Sequence, residues 1–373
     1  MENIIDVEPP EGVFEFSSYH FYTFLLPEIQ KYVENNNGNV PIISFKKLNR
    51  INPLVLPNLL AVGSYLKRLN KDKPIILLIN NNPWLNCYLE YTRFFSICGD
   101  EQGGLNIFKF EKNFLGGYPP QKPKLIHRLY EYPPIDGDIQ DEKFRDDLNM
   151  TLTSVDLEDQ FGTILMNSVQ ESLLKDVYYE SIAEPISNGM LHSNSYTWAI
   201  AQSFPERESK TVLSISDAGI GFEKSLQKNP NYHFYIIEKA ESTKRLKEDN
   251  LRDFYFIMEA LFYSLIKKRS GLIDFIIFTA SKGIVRIHYN STQILFAPRI
   301  FYKVNSLITI REKIKNEHKE HGKITENIFK KAIDEIIKLS DILLSYRSND
   351  TRFSAVRIFD VIFEGVHIEF QLS

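Results

Sequence analysis

Glu184, Asn188 and His192 recur every four residues, which on a helix places an acid, an amide and an imidazole on one face, a turn apart. A carboxylate there can orient or deprotonate an attacking water or hydroxyl, and a neutral amide oxygen can serve as a ligand of Mg²⁺. Polar residues at helical spacing ordinarily form a solvated face, so the triplet by itself decides nothing. A second signal follows downstream, where 211–216 reads as a strand running into Asp217-Ala218-Gly219-Ile220-Gly221-Phe222. Its two glycines permit backbone conformations and close approaches that a Cβ would forbid. A third is Ser270-Gly271-Leu272 at the start of a helical pattern, where unpaired amides and the helix dipole favour an anion. Lys267, Lys268 and Arg269, just before it, add positive charge, which is also what a solvated helix end carries.

The elements that must position these residues can be read from hydrophobic periodicity. A helix is expected over 168–193, with Leu173, Leu174, Val177, Tyr178, Ile182, Ile186 and Met190 at steps of three and four. Pro185 lies inside it and is expected to remove a backbone hydrogen bond or to kink it. Residues 198–203 and 211–215 form an expected hairpin, followed by a polar stretch, 223–253. Helices over 254–268 and 272–279 and strands over 285–288 and 293–296 come next. Residues 311–346 are charged and carry one apolar stripe, Phe329, Ile333, Ile336, Ile337, Leu343 and Leu344, expected to dock on its own domain. Strand-like segments at 356–363 and 367–370 end the chain.

Taken in order, the three signals resemble the boxes of the GHKL, or Bergerat-fold, ATPase superfamily, which includes histidine kinases, anti-sigma serine kinases, Hsp90 and type II topoisomerases. The likeness covers roughly 165–295 and the final strands. Glu184 and Asn188, extended by His192 and Ser193, match the first box, and Asp217, Gly219 and Gly221 complete the second. The third keeps Gly271 and Leu272, with Arg269 where the pattern has its first glycine. Val366, after Gly365, replaces a threonine near the adenine. The resemblance implies a two-layer α/β sandwich that binds ATP and Mg²⁺, here with a charged helical insertion at 311–346. Asp217 would accept from the adenine amino group, Asn188 would hold the metal, and Glu184 would be the catalytic base. The implied nucleotide-binding set is Asn188, Asp217, Gly219, Gly221, Ser264, Arg269 and Gly271.

The N-terminal half reads β-α-β-α, with strands at 41–45 and 74–79 and helices at 57–69 and 84–97. Residues 42–50, then Ile51-Asn52-Pro53 before the helix, resemble a STAS-like module, which implies protein–protein contact. Leu54 stands where such modules carry a phosphorylatable serine, so no phosphoswitch is expected there. Turn-rich sequence at 116–120 and 132–134 and the acidic 136–147 read as a domain connection, dividing the chain into 1–130 and 131–373.

At 373 residues, 43% hydrophobic and 25% charged, the chain has the composition of a globular protein of about two domains. A net charge of -4 gives no support to nucleic-acid binding, and no apolar run approaches membrane-spanning length. The expected location is the cytoplasm, with Cys87 and Cys98 as reduced thiols. None of the eight histidines precedes an acid, which argues against a histidine kinase carrying its own phosphoacceptor. The expected function is that of an Mg-ATP-binding signalling or regulatory protein with ATPase or protein serine/threonine kinase activity, with a nucleotide-gated interaction module of little or no turnover as the alternative. The partner would be a protein met through the N-terminal domain or the insertion, and a homodimer is allowed for.

Overall fold

The computed structural model describes residues 4–7, 15–35, 40–80, 82–100, 103–110, 127–137, 142–152, 172–204, 210–228, 232–246, 251–281, 283–303, 305–346, 354–363 and 365–372. The turn-rich 116–120 and the first residues of the expected helix at 168 lie outside them. The chain is of mixed α/β class and builds two sheets.

In the N-terminal half, β1 (Ile4–Asp6), β2 (Ile42–Phe45), β3 (Ile75–Ile79) and β4 (Phe108–Lys109) pair in that order, all parallel. A helical run of Ser18–His20, the π-helical Phe21–Leu25 and Leu26–Glu34, together α1, connects β1 to β2. Between β2 and β3, α2 (Leu56–Leu69) starts beyond Asn52, whose side chain accepts from Leu54 N and so caps the preceding turn. The single helix expected over 84–97 is two, α3 (Pro83–Tyr91) and α4 (Phe94–Cys98). Arg93, at φ 66°, breaks it, and the carbonyl of Thr92 is thereby turned to accept from Leu129 N. Cys98 is buried and Cys87 half-buried, both unbridged.

The second sheet has seven strands in the order β10-β9-β8-β11-β7-β6-β5, antiparallel throughout. Its strands are β5 (His127–Tyr132), β6 (Thr197–Phe204), β7 (Lys210–Asp217), β8 (Gly283–Tyr289), β9 (Thr292–Phe296), β10 (Val356–Ile358) and β11 (Val366–Leu372). The residue-130 division therefore falls inside β5. The second half of the acidic 136–147 lies in α5 (Glu142–Thr151), where Phe144 and Leu148 are spaced four residues apart and the buried Leu152 follows directly after the helix. Helix α6 (Ser172–His192) continues across Pro185, and the hairpin β6–β7 pairs Thr197 with Asp217.

The polar 223–253 holds two helices, α7 (Gly221–Gln227) and α8 (Tyr235–Ser242), before α9 (Arg252–Ile266) and α10 (Leu272–Ala280). Glu259 explains why α8 starts where it does, since its Oε2 accepts from the amides of Ile236 and Ile237 at 2.8 and 3.0 Å. After the short α11 (Pro298–Phe301), the expected insertion is a helical hairpin, α12 (Asn305–His321) and α13 (Glu326–Ser345). It docks on its own domain, with Ile336, Ile337 and Leu343 in the core and Phe329 edge-on to Tyr235 and Phe262.

Alternation along the strands sends Leu213, Ile215, Ile368 and Phe370 into the helical layer of α6, α9 and α10. The opposite face carries Trp198 and Ile200 together with Ser214, His288, His367 and Glu369. That half-polar pattern is what an exposed face would show, yet α1, α2 and the turn before α2 bury it. Two of the polar groups are met from that side: Ser214 Oγ donates to Leu54 O at 2.9 Å, and Asn58 Nδ2 and Tyr22 both bond His367 Nδ1. The sheet is thus a shared layer, and the two halves meet across it.

Candidate functional site

Helix α6 fixes one wall of a cavity of about 440 Å³ that opens between it, the end of β7, α7 and α9. That volume lies within the range of small-molecule sites, about 300–1,000 Å³. Of the residues singled out in the sequence, Glu184, Asn188, His192, Asp217, Gly221 and Ser264 line it. Gly219, Gly271 and Arg269 are not in its wall.

Asp217 ends β7 buried at 7% exposure. Gly219 N donates to its Oδ1 at 2.8 Å, and Val366 N, at the start of β11, also donates to the carboxylate. Burial pushes Asp217 up to about 7, against those two bonds and the nearby Arg68, so both its protonation states are accessible near neutrality. Gly365, at φ 106°, lies so close that a Cβ would sit 2.0 Å from the Asp217 carbonyl oxygen. Gly365-Val366 therefore does reach the acid. A Cβ on Gly219 would meet Ser193 at 2.1 Å and one on Gly221 the Tyr289 ring at 2.3 Å. The space both glycines leave is filled by the protein itself: Gly219 seats the Asp217 turn on the end of α6, and Gly221 admits Tyr289 of β8. Ile220 N donates to Ser193 O and Ala218 N to Ser195 Oγ in the same seat.

Two turns back along α6, roughly 12 Å at 1.5 Å per residue, is Glu184. Pro185 leaves the spacing intact, for Asn188 Nδ2 reaches Glu184 Oε1 at 3.3 Å. Glu184 is only 4% exposed, and both its oxygens are engaged. Arg145 Nη2 donates to Oε1 at 3.1 Å and Asn149 Nδ2 to Oε2 at 3.0 Å, while Lys267 Nζ stands 3.4 Å from Oε1. Burial alone would raise the carboxyl, but Lys267 and Arg145, then the Asn149 and Asn188 bonds, hold it below the usual range. It is a clamped anion and correspondingly a weak base. His192, between the two acids on the same helix face, is driven down to about 3 by burial and by Arg145 and Lys267; it is neutral and bonds Ser225 Oγ at 2.8 Å.

Arg145 is the residue that changes the reading. Its Nη2 also donates to Asn188 Oδ1, at 2.9 Å, so the guanidinium bridges the two oxygens that the sequence reading gives to metal and catalysis. A cation brought within about 4 Å of it would be repelled by about 4 kcal/mol per unit charge at an effective dielectric of 20. As arranged, Asn188 and Glu184 do not fit Mg²⁺. Nor, among the described residues, do three or more His, Cys, Asp or Glu side chains gather as a metal site elsewhere.

At α10 the expected phosphate seat is also partly taken. Ser264 Oγ accepts from Ile273 N at 2.9 Å and Asp274 Oδ2 from Gly271 N at 3.0 Å. A Cβ on Gly271 would strike Ser264 Oγ at 2.5 Å, so this glycine lets α9 and α10 close on each other. Arg269 turns away to pair with Asp146 of α5. The loop is held from behind by Arg311 of α12, 3% exposed, which forks onto Asp274 and donates to the carbonyls of Leu265, Lys267 and Arg269.

Sequence reasoning missed Arg145 and Asn149, since the acidic character of 136–147 masked a helix. The signal was present in the four-residue apolar repeat of Phe144, Leu148 and Leu152, which puts Arg145 and Asn149 together on another face of the helix. Arg311 gave no such signal, because only the folded hairpin brings it to Asp274.

No known family model, curated protein or solved structure matches the chain.

Proposed function

We propose that this cavity binds ATP and that the protein is a nucleotide-gated signalling or regulatory module. The observation that carries the reading is the polarity along α6: a buried carboxylate, Asp217, at one end of one cavity, and Arg145 and Lys267 about two helical turns away. An adenine amino group suits the first and a phosphate chain the second. The GHKL-type architecture of residues 131–373 is part of this proposal. It is supported by the order in which Glu184, Asn188, Asp217 and Gly221 enter the cavity. The STAS-like reading of the N-terminal half rests on its β2–α2–β3 order alone.

Turnover, as an ATPase or a serine/threonine kinase, is the second reading, favoured by the position of Glu184 in the wall. Against it stands the engagement of both its oxygens, so the module reading comes first. Mg²⁺ at Asn188 belongs to the turnover reading and needs Arg145 to leave. No helix among the described residues is long and apolar enough to cross a membrane, and a cytoplasmic location is proposed with the function. The test is incubation of the full chain with γ-labelled ATP and Mg²⁺, alongside equilibrium binding. Binding without released phosphate or labelled protein supports the module. Turnover that Glu184→Ala abolishes with affinity kept would reverse the order of the two readings.

A further inference from the structure

We infer that Arg145 and Lys267 form a built-in cationic subsite that receives the phosphates of the nucleotide in place of a divalent metal, so that binding does not depend on Mg²⁺. The inference rests on the nucleotide reading and specifies what that site recognises.

Three observations carry it. Arg145 already sits between the oxygens a metal would need, 2.9 Å from Asn188 Oδ1 and 3.1 Å from Glu184 Oε1. Its hydrogen bonds among the described residues all leave from Nη2, so Nε and Nη1 remain as donors for a ligand. The guanidinium is also held in place by its helix. Asn149, one turn on from Arg145, takes the other Glu184 oxygen, and Asp146 pairs with Arg269. A metal entering at Asn188 would have to displace Arg145 from Asn188 Oδ1 while these other attachments of α5 hold its helix in place.

Charge points the same way. Against the two cations, Arg145 and Lys267, this end of the cavity sets one carboxylate, Glu184, which leaves one positive charge uncompensated. His192 adds none, being neutral. An anion is therefore the ligand that completes the cluster, and a divalent cation is the ligand it disfavours. Lys267, at 38% side-chain exposure beside the 14% of Arg145, gives the subsite its open side.

The test is calorimetric titration of the full chain with ATP and with adenosine, in EDTA and again in excess Mg²⁺. The wild-type protein is expected to bind ATP with affinities that agree within about threefold in the two conditions. Arg145→Ala should lower ATP affinity in EDTA about 10- to 100-fold, the scale of a lost hydrogen bond to a charged group, and leave adenosine unchanged. Lys267→Met should act in the same direction, and Arg145→Lys should retain part of the loss; melting curves show that each variant is folded. Loss of wild-type ATP binding in EDTA overturns the inference, because the metal then displaces Arg145. An equal loss of ATP and adenosine in a folded Arg145→Ala also overturns it, since Arg145 would then only shape the cavity. If neither ligand binds in EDTA or Mg²⁺, the nucleotide reading itself has failed, an outcome distinct from binding that requires the metal.

Discussion

At the scale of single residues, two acids share one cavity in unlike surroundings. Glu184 is clamped by two cations and held ionised, while Asp217, deprived of water and given only backbone donors, is poised near neutrality at about 7. If ionised Asp217 accepts from the ligand's amino group, ATP affinity should rise as pH goes from about 6 to 8, and Asp217→Asn should flatten the profile. Stability should move the other way. The folded value lies above the ordinary 3.8, so the native state keeps a proton that the unfolded chain has released. The stability this group contributes is complete below about 4 and is lost as pH rises through about 7. Denaturant titrations of wild type and Asp217→Asn at pH 5 and pH 8 check the sign: the wild type should lose more stability between them than the variant does.

Among the elements, the helices that hold the site are α5, α6 and the α12–α13 hairpin, and the sequence disclosed them unequally. Helix α6 and the β6–β7 hairpin were legible, because a strong apolar period and a glycine-bounded strand are local signals. Helix α5 was obscured by acidic composition, and the break at Arg93 by the absence of a glycine or proline at that turn. The hairpin's helical stripe was legible too, but its task was not. Arg311 reaches three carbonyls and Asp274 only after α12 has packed beside α9. Arg311→Ala should destabilise the fold by about 3 kcal/mol, the low end for breaking a buried ion pair, since Lys315 still faces Asp274 at 2.8 Å. By loosening the loop that carries Lys267, it should also weaken ATP more than adenosine. Urea unfolding and the two titrations measure these separately.

For the molecule as a whole, the seven-stranded sheet is the common wall of both halves. Two domains were expected from composition, with every ligand contact in the second. Nothing local in the sequence discloses that shared wall, because the serines, histidines and Glu369 on this face of the sheet have the polarity of a solvated surface while lying under α1 and α2. Arg68 of α2 even donates to the carbonyl of Ala218, next to Asp217, so the N-terminal half touches the backbone of the Asp217 turn. Trp198, fully buried in that contact, should cost about 3–5 kcal/mol on replacement by Ala and lower one common unfolding transition. A fragment starting at β5 should expose the same face and self-associate; its appearance as a stable monomer by sedimentation would show that the halves are separable. Whether the cavity holds a nucleotide is decided by calorimetric titration of the full chain with ATP, wild type against Asp217→Asn, with melting temperatures recorded for both. One ATP per wild-type chain and an affinity about 10- to 100-fold lower in a folded Asp217→Asn are expected; no binding by the wild type, or equal binding by the two, would overturn the nucleotide reading.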